Sequence, residues 1–211
     1  MIRRCCVVFL VIAGTLWPQL WGTETCLAGL ERAVRKHSNT TVNRGQINKL
    51  AEFDHLIRYF TGYSYIVPRH KVNADFLRAL ILAESGADPR AVSSRDALGL
   101  AQIIYPTGLQ ASRELAKSST TFRYVSHATL KNLQPEDLFD PAVNILLACY
   151  LISRYNDRFK GRLDLVITAW NAGENTGSLS EGRHAPYQET ENLIGKVNAY
   201  YVYLLRHRIF P

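Results

Sequence analysis

The sequence predicts an all-α, that is mainly α-helical, fold, and two observations carry the prediction. Several stretches place apolar residues at i, i+3, i+4 and i+7, the spacing of one face of an α-helix. No stretch of useful length alternates apolar and polar residues as a half-buried strand does. The 211 residues are 47% hydrophobic and 20% charged, a composition typical of a folded domain with a sizeable core.

Residues 1–22 have the pattern of a secretory signal peptide. Arg3 and Arg4 precede a short apolar run, Cys5–Leu16, and Pro18 follows it. The run is shorter than the ~20 apolar residues of a membrane-spanning helix. We expect cleavage between positions 22 and 28, export across the inner membrane and a periplasmic protein with no other membrane contact. An uncleaved membrane anchor is the alternative.

Residues 23–71 are predicted to form an N-terminal helical segment, ahead of a domain at residues 72–211. The spacing of apolar residues predicts helices over Leu30–His37 and Val42–Tyr59. Gly62 and Pro68 then indicate a loop.

The next helix ends on an acid. Asn73 is a favourable N-cap because its side chain can accept a hydrogen bond from the first turn. Leu77, Leu80 and Ile81 precede Glu84 at helical spacing, so Glu84 lies on the apolar stripe. Removal from water disfavours the charged carboxylate and raises its pKa. Glu84 is therefore a candidate general acid.

The rest of the chain is predicted to be helical with polar interruptions. A helix resumes at 99–102 and is interrupted at Pro106, and residues 112–132 form a loop with short helices. Asp140-Pro141 is an N-cap followed by proline, which predicts a helix within 133–152. Further helices are expected over 163–170 and 187–207, with a polar loop at 177–186 between them.

The charged residues, cysteines and histidines indicate which binding partners, disulfides and metal sites to expect. Lys and Arg exceed Asp and Glu by 25 to 18, which favours an anionic partner such as peptidoglycan. The basic residues are scattered without interleaved aromatics, so no nucleic-acid partner is predicted. Cys149 is expected to be a buried free thiol, although a disulfide with Cys26 is open. No Cys or His spacing predicts a metal site.

Three separated motifs stand in one order. They are E-S-G-A-D-P at 84–89, V-S with A-L-G-L-A-Q at 92–102, and A-W-N-A-G at 169–173. Together they resemble the catalytic domain of soluble lytic transglycosylases, glycoside hydrolase family 23. The likeness extends over about residues 72–203 and implies a lysozyme-like single domain.

The resemblance implies a reaction and its residues. The family cleaves the β-1,4 bond between N-acetylmuramic acid and N-acetylglucosamine without water, leaves 1,6-anhydro ends and uses no cofactor. Glu84 would be the catalytic acid and base. Ser93, Gln102, Trp170 and Asn171 would bind the glycan strand.

The chain departs from the family pattern at three positions. Ala101 replaces a methionine, which removes an expected apolar wall of the site. Trp170 replaces a tyrosine, which keeps a ring and loses a hydroxyl that could bond Glu84, and Leu193 replaces a second tyrosine. Tyr187 or Tyr105 would have to compensate.

Two alternatives to the transglycosylase remain open. A goose-type lysozyme shares the fold but needs a carboxylate that positions water, for which Asp88 and Asp96 are the nearby candidates. A non-catalytic glycan-binding scaffold of an assembly is the other. By analogy, a short domain of this kind would open the wall locally for a secretion, conjugation or pilus complex.

Overall fold

The computed structural model describes residues 21–68 and 71–210, with side chains from residue 28 onward. In these ranges the chain forms nine α-helices, a 3-10 helix at Pro135–Phe139 and a two-stranded antiparallel sheet. The helices are α1 Trp21–Lys36, α2 Arg44–Thr61, α3 Ala74–Glu84, α4 Tyr105–Leu115, α5 His127–Lys131, α6 Pro141–Arg158, α7 Leu163–Ala172, α8 Gly177–Ser180 and α9 Gln188–His207. The strands are β1 Ala97–Leu98 and β2 Ile103–Ile104. The prediction of a mainly helical fold is confirmed.

Local capping signals set several helix starts. Asn43 and Gln46 form a capping box at the start of α2, in which each side chain accepts from the other residue's backbone N–H. The side chain of Asn73 accepts from the N–H of Phe76 at 3.0 Å, as predicted. Asp140 accepts from the N–H of Ala142 at 2.7 Å, which starts α6 ahead of its first-turn proline.

Helix α3 lies at the centre of the domain. Every residue from Phe76 to Ala83 is buried, so the helix is surrounded on all sides. It packs against α2 and α9, and the rings of Phe76 and Tyr201 meet edge to face. α6 packs on α2, α4 and α7, and its free cysteine, Cys149, is fully buried.

One buried cation ties α3 to its neighbours. The guanidinium of Arg78, on α3, bonds Asp54 of α2 and Asp75 of its own first turn. Its outer face lies 4.4 Å from the ring centroid of Phe210. A buried charge requires such partners because an uncompensated one is costly to desolvate.

The structure corrects the predicted helix at 99–102. Residues 97–104 form a hairpin in which Ala97 pairs with Ile104 and Leu98 with Ile103. Gly99 and Gln102 have φ values of +74° and +52°, which an α-helix does not contain. The predicted break at Pro106 is also wrong, because this proline lies in the first turn of α4, where its missing N–H is harmless.

Two other predictions need comment. The polar stretch 177–186 contains the short helix α8, and residues 181–186 after it are irregular; Leu179, His184 and Ala185 are buried and half of the stretch is exposed. No helix among the described residues is long and apolar enough to cross a membrane. Residues 1–20 of the predicted leader lie outside the described ranges, and α1 begins at Trp21.

Candidate active site

The acid predicted from the sequence is the last residue of α3. Ser85 caps the helix, and its backbone N–H bonds the carbonyl oxygens of Ile81 and Leu82. Gly86 follows at φ +62° and donates to Leu82 at 3.2 Å, which is a left-handed helix ending. Glu84 is therefore the one residue of α3 that lines the cleft, and it lies at the point where the helix ends and the chain turns.

Burial dominates the electrostatics of Glu84. Removal from water raises the pKa of its carboxyl to about 7. A hydrogen bond from Trp170 and the positive charge of Lys196 oppose the increase in pKa, whereas the negative charge of Glu189 adds to it. A carboxyl that titrates near neutral pH can donate a proton and take one back under the same conditions.

Lys196 lies close to the acid for a structural reason. Its Nζ, on α9, donates to the carbonyl oxygen of Ala83 at 2.7 Å. The C-terminal end of a helix carries partial negative charge on its unpaired carbonyls, so a cation is stabilised there. The ammonium is consequently held one residue from Glu84.

The five residues predicted for the site lie together. Glu84, Ser93, Gln102, Trp170 and Asn171 all line one cleft. The cleft runs between α3, the hairpin and its preceding loop, α7 and the first turn of α9. Residues more than 80 positions apart in sequence are thus brought to a single surface.

Trp170 lies beside Glu84 and keeps a donor where the family pattern has a tyrosine. Its ring is half-buried at the end of α7, and its indole N–H, the one donor of this side chain, favours the charged form of Glu84 and so lowers the pKa of that carboxyl. Neither Tyr105 nor Tyr187 compensates, because neither lines the cleft.

Ser93, Gln102 and Asn171 are each fixed by local bonds. The Ser93 hydroxyl oxygen accepts from the N–H of Arg95 at 3.2 Å and of Ala97 at 3.0 Å. The Gln102 amide nitrogen donates to two backbone carbonyls, at 3.1 and 2.8 Å, and these bonds do not use its amide oxygen. Asn171 Oδ1 accepts from the Thr190 hydroxyl at 2.6 Å.

A fully buried asparagine shapes the cleft from behind. Asn144 Oδ1 accepts from the N–H of Ala101 at 2.9 Å, and its Nδ2 donates to the carbonyls of Leu98 at 3.0 Å and Leu138 at 2.8 Å. Gly99 packs so closely on this group that a Cβ there would lie 2.5 Å from Asn144 Nδ2. The sequence analysis missed Asn144, although a polar residue on the apolar face of α6 was the available signal.

Ala101 contributes to this packing rather than to the cleft. Its side chain is fully buried and is not among the residues that line the cleft. The expectation that alanine in place of methionine removes an apolar wall of the site stays a prediction. Leu193, the other departure, is also buried and away from the lining.

The second carboxylate of the cleft is one that the sequence analysis did not consider. Asp88 accepts from the N–H of Arg90 at 2.9 Å in a local turn, and exposed Asp96 sits at φ +57°; neither lines the cleft. Glu189, in the first turn of α9, does line it. Its signal was the E-T pair at 189–190, which lies just before the expected tyrosine.

Other lining residues complete the walls. They include Arg95, Thr107, Leu151 and Tyr155, together with the exposed side chain of Ile104. The described residues contain no group of three or more His, Cys, Asp or Glu side chains that could hold a metal ion.

The chain is thus a mainly helical domain with one desolvated carboxyl, that of Glu84, in an open cleft. A comparison with protein families matches residues 67–192 to the Transglycosylase SLT domain. This match spans more than half of the chain, which therefore belongs to the SLT transglycosylase family.

Two solved structures share the fold. The 70 kDa soluble lytic transglycosylase of Escherichia coli superposes with a TM-score of 0.57 at 20% identity, over 74% of this chain and 24% of that one. An inactive mutant of the lytic transglycosylase Slt of Pseudomonas aeruginosa gives 0.51 at 20% identity, over 68% and 23%. The chain thus spans about a quarter of the length of these proteins.

Proposed function

We propose that the chain is a peptidoglycan lytic transglycosylase in which Glu84 acts first as acid and then as base. The observation that carries the proposal is the burial of this carboxyl beside the cleft, which raises its pKa to about 7. At that pKa a useful fraction is protonated at neutral pH, as proton donation to a leaving group requires.

The reaction balances without water. The Glu84 proton passes to the glycosidic oxygen, and the bond between that oxygen and C1 of the muramic sugar breaks. The neighbouring N-acetyl oxygen stabilises the positive charge that develops at C1. The Glu84 carboxylate then takes the proton of the C6 hydroxyl, whose oxygen bonds C1 to close the 1,6-anhydro ring. Intramolecular attack of this kind has a high effective molarity.

The cleft residues support these steps in different ways. The indole N–H of Trp170 stabilises the carboxylate that forms after donation. Gln102 offers its amide oxygen, and Ser93 offers its hydroxyl proton, because their other polar atoms are occupied by the backbone. Asn171 is held by Thr190 at the opposite wall.

A hydrolase of the goose-type lysozyme kind is the second candidate, and Glu189 is the observation that favours it. Inverting hydrolysis needs a second carboxylate that activates water from the opposite side of the sugar. Glu189 lines the cleft, but its Oε2 pairs with Arg95 at 2.8 Å and its Oε1 accepts weakly from Asn171 at 3.5 Å. This ion pair is exposed and weak, so it does not remove Glu189 as a candidate base. The match to the Transglycosylase SLT domain makes the transglycosylase the better-supported function.

Product mass tests the proposal directly. Purified peptidoglycan is digested with the wild-type protein and the fragments are separated by mass spectrometry. The proposal expects 1,6-anhydro fragments, one water lighter than hydrolytic ones. Glu84→Gln should lower the rate by at least ~10²-fold, the scale of general acid–base catalysis. Glu52→Gln is the matched control, since Glu52 is exposed on α2 and away from the cleft.

The two candidates differ at Glu189. A transglycosylase with the substitution Glu189→Gln still releases anhydro fragments. A lysozyme that uses Glu189 as its base releases fragments at the hydrolytic mass and loses activity in that variant. The second result would replace the proposal by the hydrolase.

The proposed setting is the periplasm, where the peptidoglycan lies. The support is the predicted leader, with Arg3 and Arg4 ahead of an apolar run. Local cleavage there would provide the opening that a secretion, conjugation or pilus complex needs. The mass of the mature protein in a periplasmic extract tests cleavage at positions 22 to 28, and a full-length membrane-bound product would indicate the anchor instead.

A further inference from the structure

One ion pair crosses the mouth of the cleft. Nη2 of Arg95, in the loop between Ser93 and β1, lies 2.8 Å from Oε2 of Glu189 in the first turn of α9. Both residues line the cleft. Among the described residues that line it, Arg95 is the one cation. A bound strand would therefore meet the positive charge of the cleft at Arg95.

The backbone of Arg95 is anchored, whereas its side chain is exposed and held only by the ion pair. The Ser93 hydroxyl oxygen accepts from the Arg95 N–H at 3.2 Å, which anchors the residue at the rim. The side chains of Arg95 and Glu189 are 68% and 56% exposed. An ion pair this exposed contributes little free energy, because water screens it and two long side chains lose freedom in forming it. An incoming anion can therefore replace Glu189 at small cost.

The chemistry of the substrate limits what that anion can be. The N-acetylated sugars of the glycan carry no charge. The negative charge of a peptidoglycan strand lies instead on the carboxylates of the peptide stems that the muramic sugars bear. A guanidinium matches a carboxylate with two parallel N–H donors, which makes arginine a selective partner for that group.

We propose that Arg95 is a specificity residue that exchanges Glu189 for a carboxylate of the peptide stem, so that the cleft prefers strands whose stems are charged. This inference rests on the proposed function, because it assumes that the cleft receives a peptidoglycan strand. It assigns Arg95 a binding role and no step of the reaction.

Binding in an inactive background separates this inference from the reaction. All proteins carry Glu84→Gln, which prevents turnover. The two ligands are soluble uncross-linked strands with native stems and the same strands after carbodiimide coupling to ammonia, which converts the carboxylates to amides. Titration calorimetry gives the dissociation constant of each ligand for the parent, for Arg95→Gln and for the control Arg44→Gln. Arg44 is exposed at the start of α2, away from the cleft, so its variant loses the same charge elsewhere.

The expected result is a preference and its loss. The parent and the Arg44→Gln protein should bind native strands about tenfold more tightly than amidated ones, the scale of a hydrogen bond to a charged group. Arg95→Gln should bring the ratio close to one by weakening only the native strand. Equal binding of both ligands by the parent, or an unchanged ratio in Arg95→Gln, would overturn the inference. Absence of anhydro products from the wild-type protein would refute the proposed reaction and leave this measurement valid.

Discussion

Trp170, near the end of α7, and Glu84, at the end of α3, line the same cleft, and the indole N–H lowers the pKa of the Glu84 carboxyl by favouring its charged form. This stabilisation moderates the increase in pKa that burial causes. Glu84 thereby titrates at about 7 rather than higher. An indole performs here the task for which a phenol was expected.

Replacing the donor should shift the titration of Glu84 upward. In Trp170→Phe the ring remains without an N–H, so we expect a higher Glu84 pKa than in the wild type. Trp170→Tyr is the matched variant, because its hydroxyl can donate and should restore part of the lost stabilisation. Carboxyl ¹³C NMR titration of glutamate-labelled protein measures both. A Trp170→Phe pKa equal to or below that of the wild type would show that the indole does not bond the carboxylate.

The neighbouring charges should move the alkaline limit of activity in opposite directions. Lys196 lowers the pKa of Glu84 and Glu189 raises it. Lys196→Gln should therefore shift the high-pH decline of kcat/KM to higher pH, and Glu189→Gln should shift it to lower pH. A pH–rate profile on purified peptidoglycan gives both limits. Shifts of the same sign in the two variants would contradict the assignment of this limb to Glu84.

Glu84 should lower the stability of the folded protein above acidic pH. Its pKa is about 7 when folded against an ordinary value of 4.5, so the folded state holds the proton more tightly. The free energy of unfolding then falls as pH rises through this window, by about 3 kcal/mol for a shift of this size. Glu84→Gln has no titrating group at this position. Its free energy of unfolding should exceed that of the wild type by this amount at pH 8, and the two proteins should differ little at pH 4. Urea unfolding at both pH values tests the trend, and a gap that does not widen with pH would refute it.

Two glycines with similar backbones should differ sharply in their tolerance of alanine. Gly86 and Gly99 have φ values of +62° and +74°, so alanine is strained at both, by ~1 kcal/mol. A Cβ at Gly86 would meet nothing within 4 Å, whereas one at Gly99 would collide with Leu138 and Asn144. Gly99→Ala should therefore lower the melting temperature much further than Gly86→Ala. Equal losses in thermal unfolding would show that the contact is readily relieved.

Asn144 should contribute to stability and activity together. Asn144→Leu keeps the size of the side chain but leaves the N–H of Ala101 and the carbonyls of Leu98 and Leu138 without their partner. Each unsatisfied buried group costs ~1–3 kcal/mol, so we expect a total of at least ~3 kcal/mol. Asn156→Leu is a control on the same helix, because Asn156 Oδ1 is buried without a partner. A smaller loss for Asn144→Leu than for the control would contradict this role.

The sequence predicted the parts of the fold that depend on near neighbours. Asn73 and Asp140 cap their helices through contacts two or three residues away, and the apolar stripe that ends at Glu84 is a property of one helix. The hairpin at 97–104 was not predictable in this way. Its strands are two residues each, too short to show alternation, and the residue that holds its turn, Asn144, lies more than 40 positions later.

The same distinction between near and distant neighbours applies to the candidate site. The motifs named residues that the fold does bring to one cleft, because each motif spans a few adjacent positions. The contact from Trp170 to Glu84 and the pair of Arg95 with Glu189 join elements some 90 residues apart, and only the packing of α3, α7 and α9 sets them. A motif does not say how deeply a side chain is buried or whether it faces the cleft, as Ala101 and Trp170 illustrate: the first is buried away from the cleft and the second lines it.

The wall of the cleft at residues 85–102 is rigid before any ligand arrives. Backbone carbonyls along it accept bonds from Ser85, at 2.7 Å to Leu100, and from Gln102, while Asn144 holds it from the core. A strand entering the cleft does not have to order this backbone, so association loses little conformational entropy on that side. The side chains of Arg95, at the rim of this wall, and of Glu189, on α9, are exposed and can still rearrange on contact. A bound strand would then meet a backbone wall that is already ordered and two side chains, those of Arg95 and Glu189, that rearrange when it binds.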